Sequence, residues 1–103
     1  MSVAELPILI DREKLADFCR GHRIRKLSLF GSVLRTDFDP TRSDVDMLAE
    51  FMPGAQPGWE FFGWQEDLSP IIGHRVDLHT SASLSGYFRD EVLREAVTVY
   101  EQA

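Results

Sequence analysis

Cysteine is almost absent from this sequence of 103 residues, in which Cys19 is the single thiol. One cysteine excludes an internal disulfide and is typical of a reducing compartment, so we expect a cytoplasmic location. Long apolar runs are also missing, because none approaches the roughly 20 residues that a membrane-spanning helix needs. The opening MSVAELPILI lacks the basic region and cleavage pattern of a signal peptide. We therefore expect no membrane partner.

Positive charge is scarce, because 11 lysines and arginines stand against 17 aspartates and glutamates, for a formal net charge of −6. Affinity for a nucleic-acid backbone depends on basic side chains that neutralise phosphates, so direct nucleic-acid binding is not expected, although local basic patches remain open. The composition, 44% hydrophobic and 27% charged, is that of an ordinary globular protein. Its length fits one small domain spanning residues 1–103.

What the sequence does contain is a dense motif, GSVLRTDFDPTRSDVD, over residues 31–46. Near its end, Asp44 and Asp46 stand two residues apart at the head of an apolar run. In a β-strand such residues point to the same face, so both carboxylates should converge while Val45 and Met47 face the core. Two acids held this close repel each other unless a cation lies between them. Oxygen ligands of this kind suit a hard ion such as Mg²⁺.

The Gly-Ser pair that opens the motif predicts a phosphate contact. The apolar run ending at Phe30 is typical of a strand, and residues 33–35 are typical of a short helical turn after it. The start of such a turn presents free backbone N–H groups, Gly31 allows close approach, and Ser32 adds a hydroxyl. Either half of the motif alone has an ordinary explanation, as a simple turn or a charged strand start. Together they favour metal-assisted phosphoryl or nucleotidyl transfer.

Hydrophobic periodicity predicts alternating helices and strands. Helices are predicted over residues 12–22, 58–73 and 87–95, and strands over residues 24–30, 44–51, 74–80 and 96–100. Asp11 is a favourable N-cap for the first helix. Pro70 should interrupt the second helix, with Ser69 and Pro70 opening a last short turn. The alternation predicts an α/β or α+β domain with a mixed central sheet flanked by helices, while the strand order stays open.

Other polar residues could extend the chemistry of the motif. If the third strand lies beside the second, Asp77 can complete a three-carboxylate site. His74 and His79 could be ligands or bases, although a polar residue at a strand end is the commoner case. Asp37 and Asp39 are read as turn and cap residues of the loop, because nothing places them on the carboxylate face.

Packing explains several remaining residues. Cys19 lies on the apolar stripe of the first helix, so we expect a core residue rather than a nucleophile. His22, at the end of that helix, is expected to be solvated. In the last helix, Phe88 and Leu93 are predicted to face inward with Val92.

The motif resembles the signature of the minimal nucleotidyltransferases, the MntA-like group of the DNA polymerase beta-like nucleotidyltransferase superfamily. That signature joins a Gly-Ser pair to an Asp-x-Asp further along, which here read GS at 31–32 and SDVD at 43–46. Arg35 in GSVLR and the run SDVDMLAEF also resemble that group. The run GHRVDLHT would supply the third family carboxylate at Asp77. The likeness covers residues 15–100.

The resemblance implies a palm-like sheet and a role for each acid. Asp44 and Asp46 would bind Mg²⁺ that bridges the triphosphate of ATP. Two metal ions are implied. Asp77 would bind the catalytic one and help to deprotonate the attacking hydroxyl. These three residues are therefore the expected metal and catalytic residues.

The resemblance also implies the nucleotide contacts and the reaction. Ser32 and the backbone around Gly31 would hold the β- and γ-phosphates, so that pyrophosphate leaves. Arg35 would either steady phosphate or pair with an acid. The implied activity is transfer of AMP from ATP to a hydroxyl.

The acceptor implied by the resemblance belongs to a partner protein. The chain leaves no room for an acceptor domain, and minimal nucleotidyltransferases typically accompany a HEPN-domain toxin, whose tyrosine would receive AMP. The chain would then be the antitoxin. Contact with the toxin is expected at the aromatic helix around Trp59, Phe62 and Trp64, although these rings could also stack bases or fill the core. Two alternatives stay open: neutralisation by binding alone, and small-molecule modification as in aminoglycoside nucleotidyltransferases.

Overall fold

The computed structural model describes residues 6, 8–35, 38–39 and 41–102. Its helices are α1 (Arg12–Gly21), α2 (Trp64–Ile72) and α3 (Gly86–Glu95). Its strands are β1 (Ile24–Phe30), β2 (Val45–Phe51), β3 (Val76–Thr80) and β4 (Val97–Glu101). Short 3₁₀ turns occupy Gly31–Leu34, Trp59–Gly63 and Ser81–Ser83. In this part of the chain, no helix is both long enough and apolar enough to cross a membrane.

The strands form one mixed sheet in the order β3-β2-β1-β4. Strand β1 pairs antiparallel with both β2 and β4, whereas β2 pairs parallel with β3. A parallel pair needs a crossover connection, which the turn Trp59–Gly63 and helix α2 supply. The arrangement confirms the predicted mixed sheet flanked by helices and supplies the strand order that the sequence left open.

Side-chain alternation along the strands divides the sheet into two unequal faces. The face covered by α1 and α2 carries the main core. That core includes Leu15, Cys19, Leu27, Leu29, Val45, Met47, Trp64, Leu68, Ile72 and Leu78. The opposite face, under α3, carries only a small cluster within the described residues, made of Phe30, Leu48, Leu84 and Val92. The second face therefore has room for polar residues.

Cys19 confirms its interpretation as a core residue. It is fully buried between α1 and the sheet. Burial raises the pKa of its thiol to about 12, so the thiolate form that acts as a nucleophile is suppressed.

Helix α1 begins as predicted, because the Asp11 carboxylate accepts the backbone N–H of Lys14 at 3.1 Å. The expectation that His22 is a solvated end residue was wrong. Its ring stacks on Phe18 at a centroid distance of 4.1 Å and meets Trp64 edge-on at 4.4 Å. The imidazole therefore helps to join α1 to α2.

The helix predicted over residues 58–73 forms in two parts, a 3₁₀ turn followed by α2. The prediction that Ser69 and Pro70 open a new turn was wrong, because Pro70 lies inside α2. The Ser69 hydroxyl donates to the backbone carbonyl of Gln65, four residues earlier, at 2.9 Å, as serine does inside a helix. Helix α2 ends at Gly73, whose φ of 80° lies in the left-handed region.

Helix α3 covers the second face of the sheet incompletely. Val92 is buried as expected, but Leu93 is 47% exposed, so its predicted inward packing was wrong, and Phe88 packs inward only in part, with its ring against Phe30 and 45% of it exposed. Tyr87 is also exposed. Helix α3 thus carries three exposed apolar side chains, Tyr87, Phe88 and Leu93, which are spread around the helix at about 100° per residue and which we together call the α3 surface.

We expect Gly73→Ala to lower the free energy of unfolding by about 1–2 kcal/mol, because a side chain at positive φ is strained even though no heavy atom lies within 4 Å of a Cβ there. Gly86→Ala is the matched control. Its position is equally open but has no positive φ and lies in the first turn of α3, so stability should be unchanged or slightly higher. Urea unfolding of both variants checks this, and equal losses would contradict it.

Candidate functional site

Three strand ends meet on the sheet face that α1 and α2 leave uncovered. In the register of the sheet, Asp46 of β2 pairs with Asp77 of β3 on one side and with Phe30 of β1 on the other. Asp46 and Asp77 are each the second residue of their strand, so the parallel pairing brings them to one level. Asp77 therefore lies beside Asp46, as expected if these strands were neighbours.

His79 joins the two carboxylates. It lies two residues beyond Asp77 on the same face, and its Nε2 is 3.2 Å from Asp77 Oδ2 and 3.7 Å from Asp46 Oδ1. One potential ligand atom from each of the three residues lies within 4.8 Å of the other two. The sequence left His79 open as a ligand or base but favoured a polar strand-end role, so its contact with both carboxylates was not predicted. The spacing to Asp77 was the signal that could have revealed it.

The pKa of Asp46 is raised by its burial and by nearby negative charge. Burial and then the neighbouring charge of Asp77 raise the pKa of Asp46 above its usual 3.8, and Asp44 adds a smaller effect in the same direction. His79 acts in the opposite direction. The site therefore disfavours the ionised form of Asp46, and a bound cation would offset the negative charge there.

Gly31 is held against Asp46 where β1 ends. Its φ of 78° is left-handed, and a Cβ at this position would lie 2.5 Å from Asp46 Oδ2. No other residue fits without moving the carboxylate. Gly31, the first residue of the Gly-Ser pair, therefore lies directly against the second acid of the Asp-x-Asp pair.

The helical turn after β1 begins earlier than predicted, at Gly31 rather than residue 33. Ser32 lies within this 3₁₀ turn and is half-buried, whereas Arg35 follows the turn as an exposed, extended residue. Arg35 lines an open cavity of about 310 Å³ together with Gly31 and Glu95. The predicted nucleotide-binding residues are therefore near neighbours around one end of β1.

Asp44 lies apart from the cluster. Strand β2 begins at Val45, one residue later than predicted, and the Asp44 carboxylate is 3.1 Å from Nε of Arg75. Arg75 also donates to the carbonyl of Arg42 at 2.9 Å. The structure thus brings Asp46 and Asp77 together with His79, while Asp44 is held by an arginine that precedes β3.

The other polar candidates take structural roles or fall outside the description. Asp37 lies outside the described residues. Asp39 accepts the N–H and the hydroxyl of Thr41 at 2.9 and 2.7 Å, which lowers its pKa and confirms a turn residue. The ring of His74 meets that of Phe38 at a centroid distance of 6.1 Å.

Replacing Asp46 by Asn should raise the Tm of the ion-free protein at neutral pH. A raised pKa means that Asp46 supports folding below its usual pKa of 3.8, and that this support is lost as pH rises through the folded-state value. The gain in Tm over wild type should therefore grow with pH. Thermal unfolding in a chelator, scanned across pH, measures it.

Asp44→Asn is the control for this prediction, because it removes an acid of the same motif that is exposed and paired with Arg75. At most a much smaller gain in Tm is expected from it, because the charge of Asp44 has only a minor effect on Asp46 and its ion pair with Arg75 is lost. Equal gains in the two variants, or a gain for Asp46→Asn that shrinks as pH rises, would show that crowding at Asp46 is not the cause.

Comparison with known proteins gives a family match over nearly the whole chain. The profile of the nucleotidyltransferase domain matches residues 12–99. A protein of Methanocaldococcus jannaschii, named as a candidate protein adenylyltransferase, is 31% identical over 88 residues, covering 85% of this chain and 92% of its own. The protein adenylyltransferase MntA of Thermococcus cleftensis is 36% identical over 78 residues, covering 74% and 75%.

Solved structures agree in fold. One described as a candidate minimal nucleotidyltransferase has a TM-score of 0.62 and 32% identity, covering 84% of this chain and 86% of its own. Another, described as a toxin–antitoxin with AMP-PNP, has a TM-score of 0.69 at 17% identity, covering 90% and 75%. The resemblance to minimal nucleotidyltransferases is confirmed, and this chain belongs to the nucleotidyltransferase domain family.

Proposed function

We propose that this chain transfers AMP from ATP to a hydroxyl of a partner protein, and that the acceptor is a tyrosine of a HEPN-domain toxin. The chain is then the antitoxin of the pair. The observation that carries the proposal is the in-register pair Asp46 and Asp77, set against Gly31 and Ser32, in a member of the nucleotidyltransferase domain family. Relatives named protein adenylyltransferases support the transferred group, and toxin–antitoxin neighbours support the class of partner.

Mg²⁺ fits the donor set at this site. Asp46 and Asp77 offer carboxylate oxygens, the ligands that Mg²⁺ prefers. Burial and then the charge of Asp77 raise the pKa of Asp46, and a divalent ion would offset that negative charge. When bound, Mg²⁺ would neutralise triphosphate charge and polarise the α-phosphoryl group. Asp44 would contribute to a two-ion site after its carboxylate leaves Arg75.

Asp77 is the proposed general base. The hydroxyl oxygen of the acceptor bonds to the α-phosphorus while the bond from that phosphorus to the α,β-bridging oxygen breaks. Pyrophosphate leaves with the electron pair, and the hydroxyl proton passes to the Asp77 carboxylate. The side chain of Asp77 is 49% exposed, against 28% for Asp46, so an acceptor can approach Asp77 more easily.

The turn after β1 is the proposed phosphate site. The Ser32 hydroxyl and the backbone beside Gly31 would hold the β- and γ-phosphates of ATP, close to the carboxylate that Gly31 touches. Arg35, exposed at the rim of the cavity beside the turn, would add positive charge there. These contacts would orient the leaving pyrophosphate.

The partner is proposed to seat on the α3 surface. The ring centroids of Phe88 and Phe30 lie 6.4 Å apart, and Phe30 pairs with Asp46 in the sheet. This surface therefore adjoins the site that the acceptor hydroxyl must reach. Exposed aromatic side chains such as that of Tyr87 are enriched among the residues that dominate protein interfaces. The net charge of −6 would favour encounter with a basic partner.

The aromatic helix expected from the sequence as the interface is less suitable. Trp64 is 6% exposed and belongs to the core, so its predicted partner contact was wrong. Trp59 and Phe62 are 88% and 69% exposed. They belong, however, to the turn that packs near Phe51, about 17 Å along β2 from the level of the acids.

Asp77→Asn should lower the rate of AMP transfer about 100-fold or more while weakening ATP binding much less, because its role lies with the attacking hydroxyl. Asp46→Asn should abolish transfer. Asp39→Asn is the control, since Asp39 only orders its turn. Single-turnover transfer from α-labelled ATP and equilibrium ATP binding measure both effects. Near-normal transfer in Asp46→Asn protein would remove the proposed mechanism.

A HEPN partner co-expressed with the wild-type chain should form a complex and gain the mass of AMP on a tyrosine, as read by mass spectrometry. The double variant Tyr87→Ala, Leu93→Ala should weaken the complex by about 2 kcal/mol or more. Trp59→Ala with Phe62→Ala is the control, because these side chains are at least as exposed as those of Tyr87 and Leu93. A partner that binds but never gains AMP, with ATP and Mg²⁺ in excess, would leave neutralisation by binding alone.

A further inference from the structure

We propose that His79 is a nitrogen ligand of the divalent ion held by Asp46 and Asp77, so that the site selects first-row transition ions over Mg²⁺. The inference rests on the proposed function only in taking these two carboxylates as metal ligands. It gives a role to a residue to which the family resemblance assigns none, and it changes the class of ion that the site prefers.

The distances fit a shared ion. Two donors about 2.1 Å from one ion lie about 3 Å apart at a right angle and about 4 Å apart on opposite sides. His79 Nε2 is 3.2 Å from Asp77 Oδ2 and 3.7 Å from Asp46 Oδ1. All three ligand atoms lie within 4.8 Å of one another. The cluster could therefore close around an ion with small side-chain adjustments.

The imidazole is held in place rather than solvated. Its side chain is 26% exposed, and its ring meets that of Phe30 edge-on at a centroid distance of 5.3 Å. Phe30 is itself 3% exposed and contacts Phe88 of α3. Phe30 thus fixes the ring with Nε2 toward the carboxylates, an orientation that lowers the entropic cost of binding an ion.

The other two histidines lie away from the carboxylate cluster. His22 packs between α1 and α2, and His74 meets Phe38, so neither shares the carboxylate cluster. Within the described residues, His79 alone among them belongs to a group able to hold a metal. The chain thus offers a matched histidine for comparison.

The donor chemistry determines the preferred ion. Mg²⁺ takes oxygen ligands and keeps several waters, so an imidazole adds little to its binding. First-row transition ions accept imidazole nitrogen together with carboxylate oxygen, and their affinities for such sites rise from Mn²⁺ to Cu²⁺. Mn²⁺, as the weakest of that series, gives a conservative test, and it is paramagnetic.

The experiment titrates Mn²⁺ alone into wild type, His79→Gln and the control His74→Gln. Free Mn²⁺ is read by electron paramagnetic resonance, and Mg²⁺ affinity by competition. Electron spin echo modulation of the bound ion reports ¹⁴N coupling from a directly bound imidazole. Nucleotide is omitted because its base carries nitrogen. Wild type labelled with ¹⁵N-histidine gives the same reading without any substitution.

The expected result is a histidine ¹⁴N coupling in wild type and His74→Gln that becomes a ¹⁵N coupling on labelling and is lost in His79→Gln. Mn²⁺ affinity should fall about tenfold or more in His79→Gln. Mg²⁺ affinity should change little, because Gln still offers an oxygen. A residue that only orients the carboxylates by hydrogen bonding would give no nitrogen coupling.

Two failures can be told apart. If Asp46→Asn loses bound Mn²⁺ but wild type shows no histidine coupling, the inference for His79 is overturned and the proposed transfer reaction stands. If Asp46→Asn and wild type bind Mn²⁺ equally, the carboxylates are not the metal centre, and the proposed function fails together with the inference.

Discussion

The repulsion between the Asp46 and Asp77 carboxylates is the constraint on which the site depends. The parallel register of β2 and β3 sets the two acids side by side, and their charges raise the cost of the ion-free fold. Packing on the opposite face of the sheet, where Val45 and Met47 are fully buried under α1 and α2, offsets that cost. Packing on one face of the sheet thus stabilises the strand pairing that keeps the two carboxylates together on the other face.

The same division explains the unequal coverage of the sheet. Where β2 and β3 place acids and an imidazole, α3 has few apolar partners and rests on a small cluster around Phe30 and Leu48. Phe88 and Leu93 consequently stay partly exposed. Apolar surface beside a polar site is typical of a contact region rather than of a finished core.

Most of the fold was predictable because its signals are local. Alternation along β2 and β3 was enough to assign Asp46 and Asp77 to the face away from the core, since side-chain direction has a period of two. Contacts between distant residues were not predictable. The capture of Asp44 by Arg75, the approach of His79 to Asp46 and the packing of His22 on Trp64 all depend on how elements meet. Their sequence patterns resemble those of ordinary surface residues.

The crossover between β2 and β3 has a consequence for the order of folding. Antiparallel β1 and β2 can pair as soon as their own connection closes, whereas Asp46 and Asp77 meet only after the turn Trp59–Gly63 and helix α2 have formed and docked. Parallel pairing across such a connection has a high contact order and is slow. The acidic centre therefore assembles later than the β1–β2 pair, and a compact chain in which α2 has not docked would pair β1 with β2 without aligning Asp46 and Asp77.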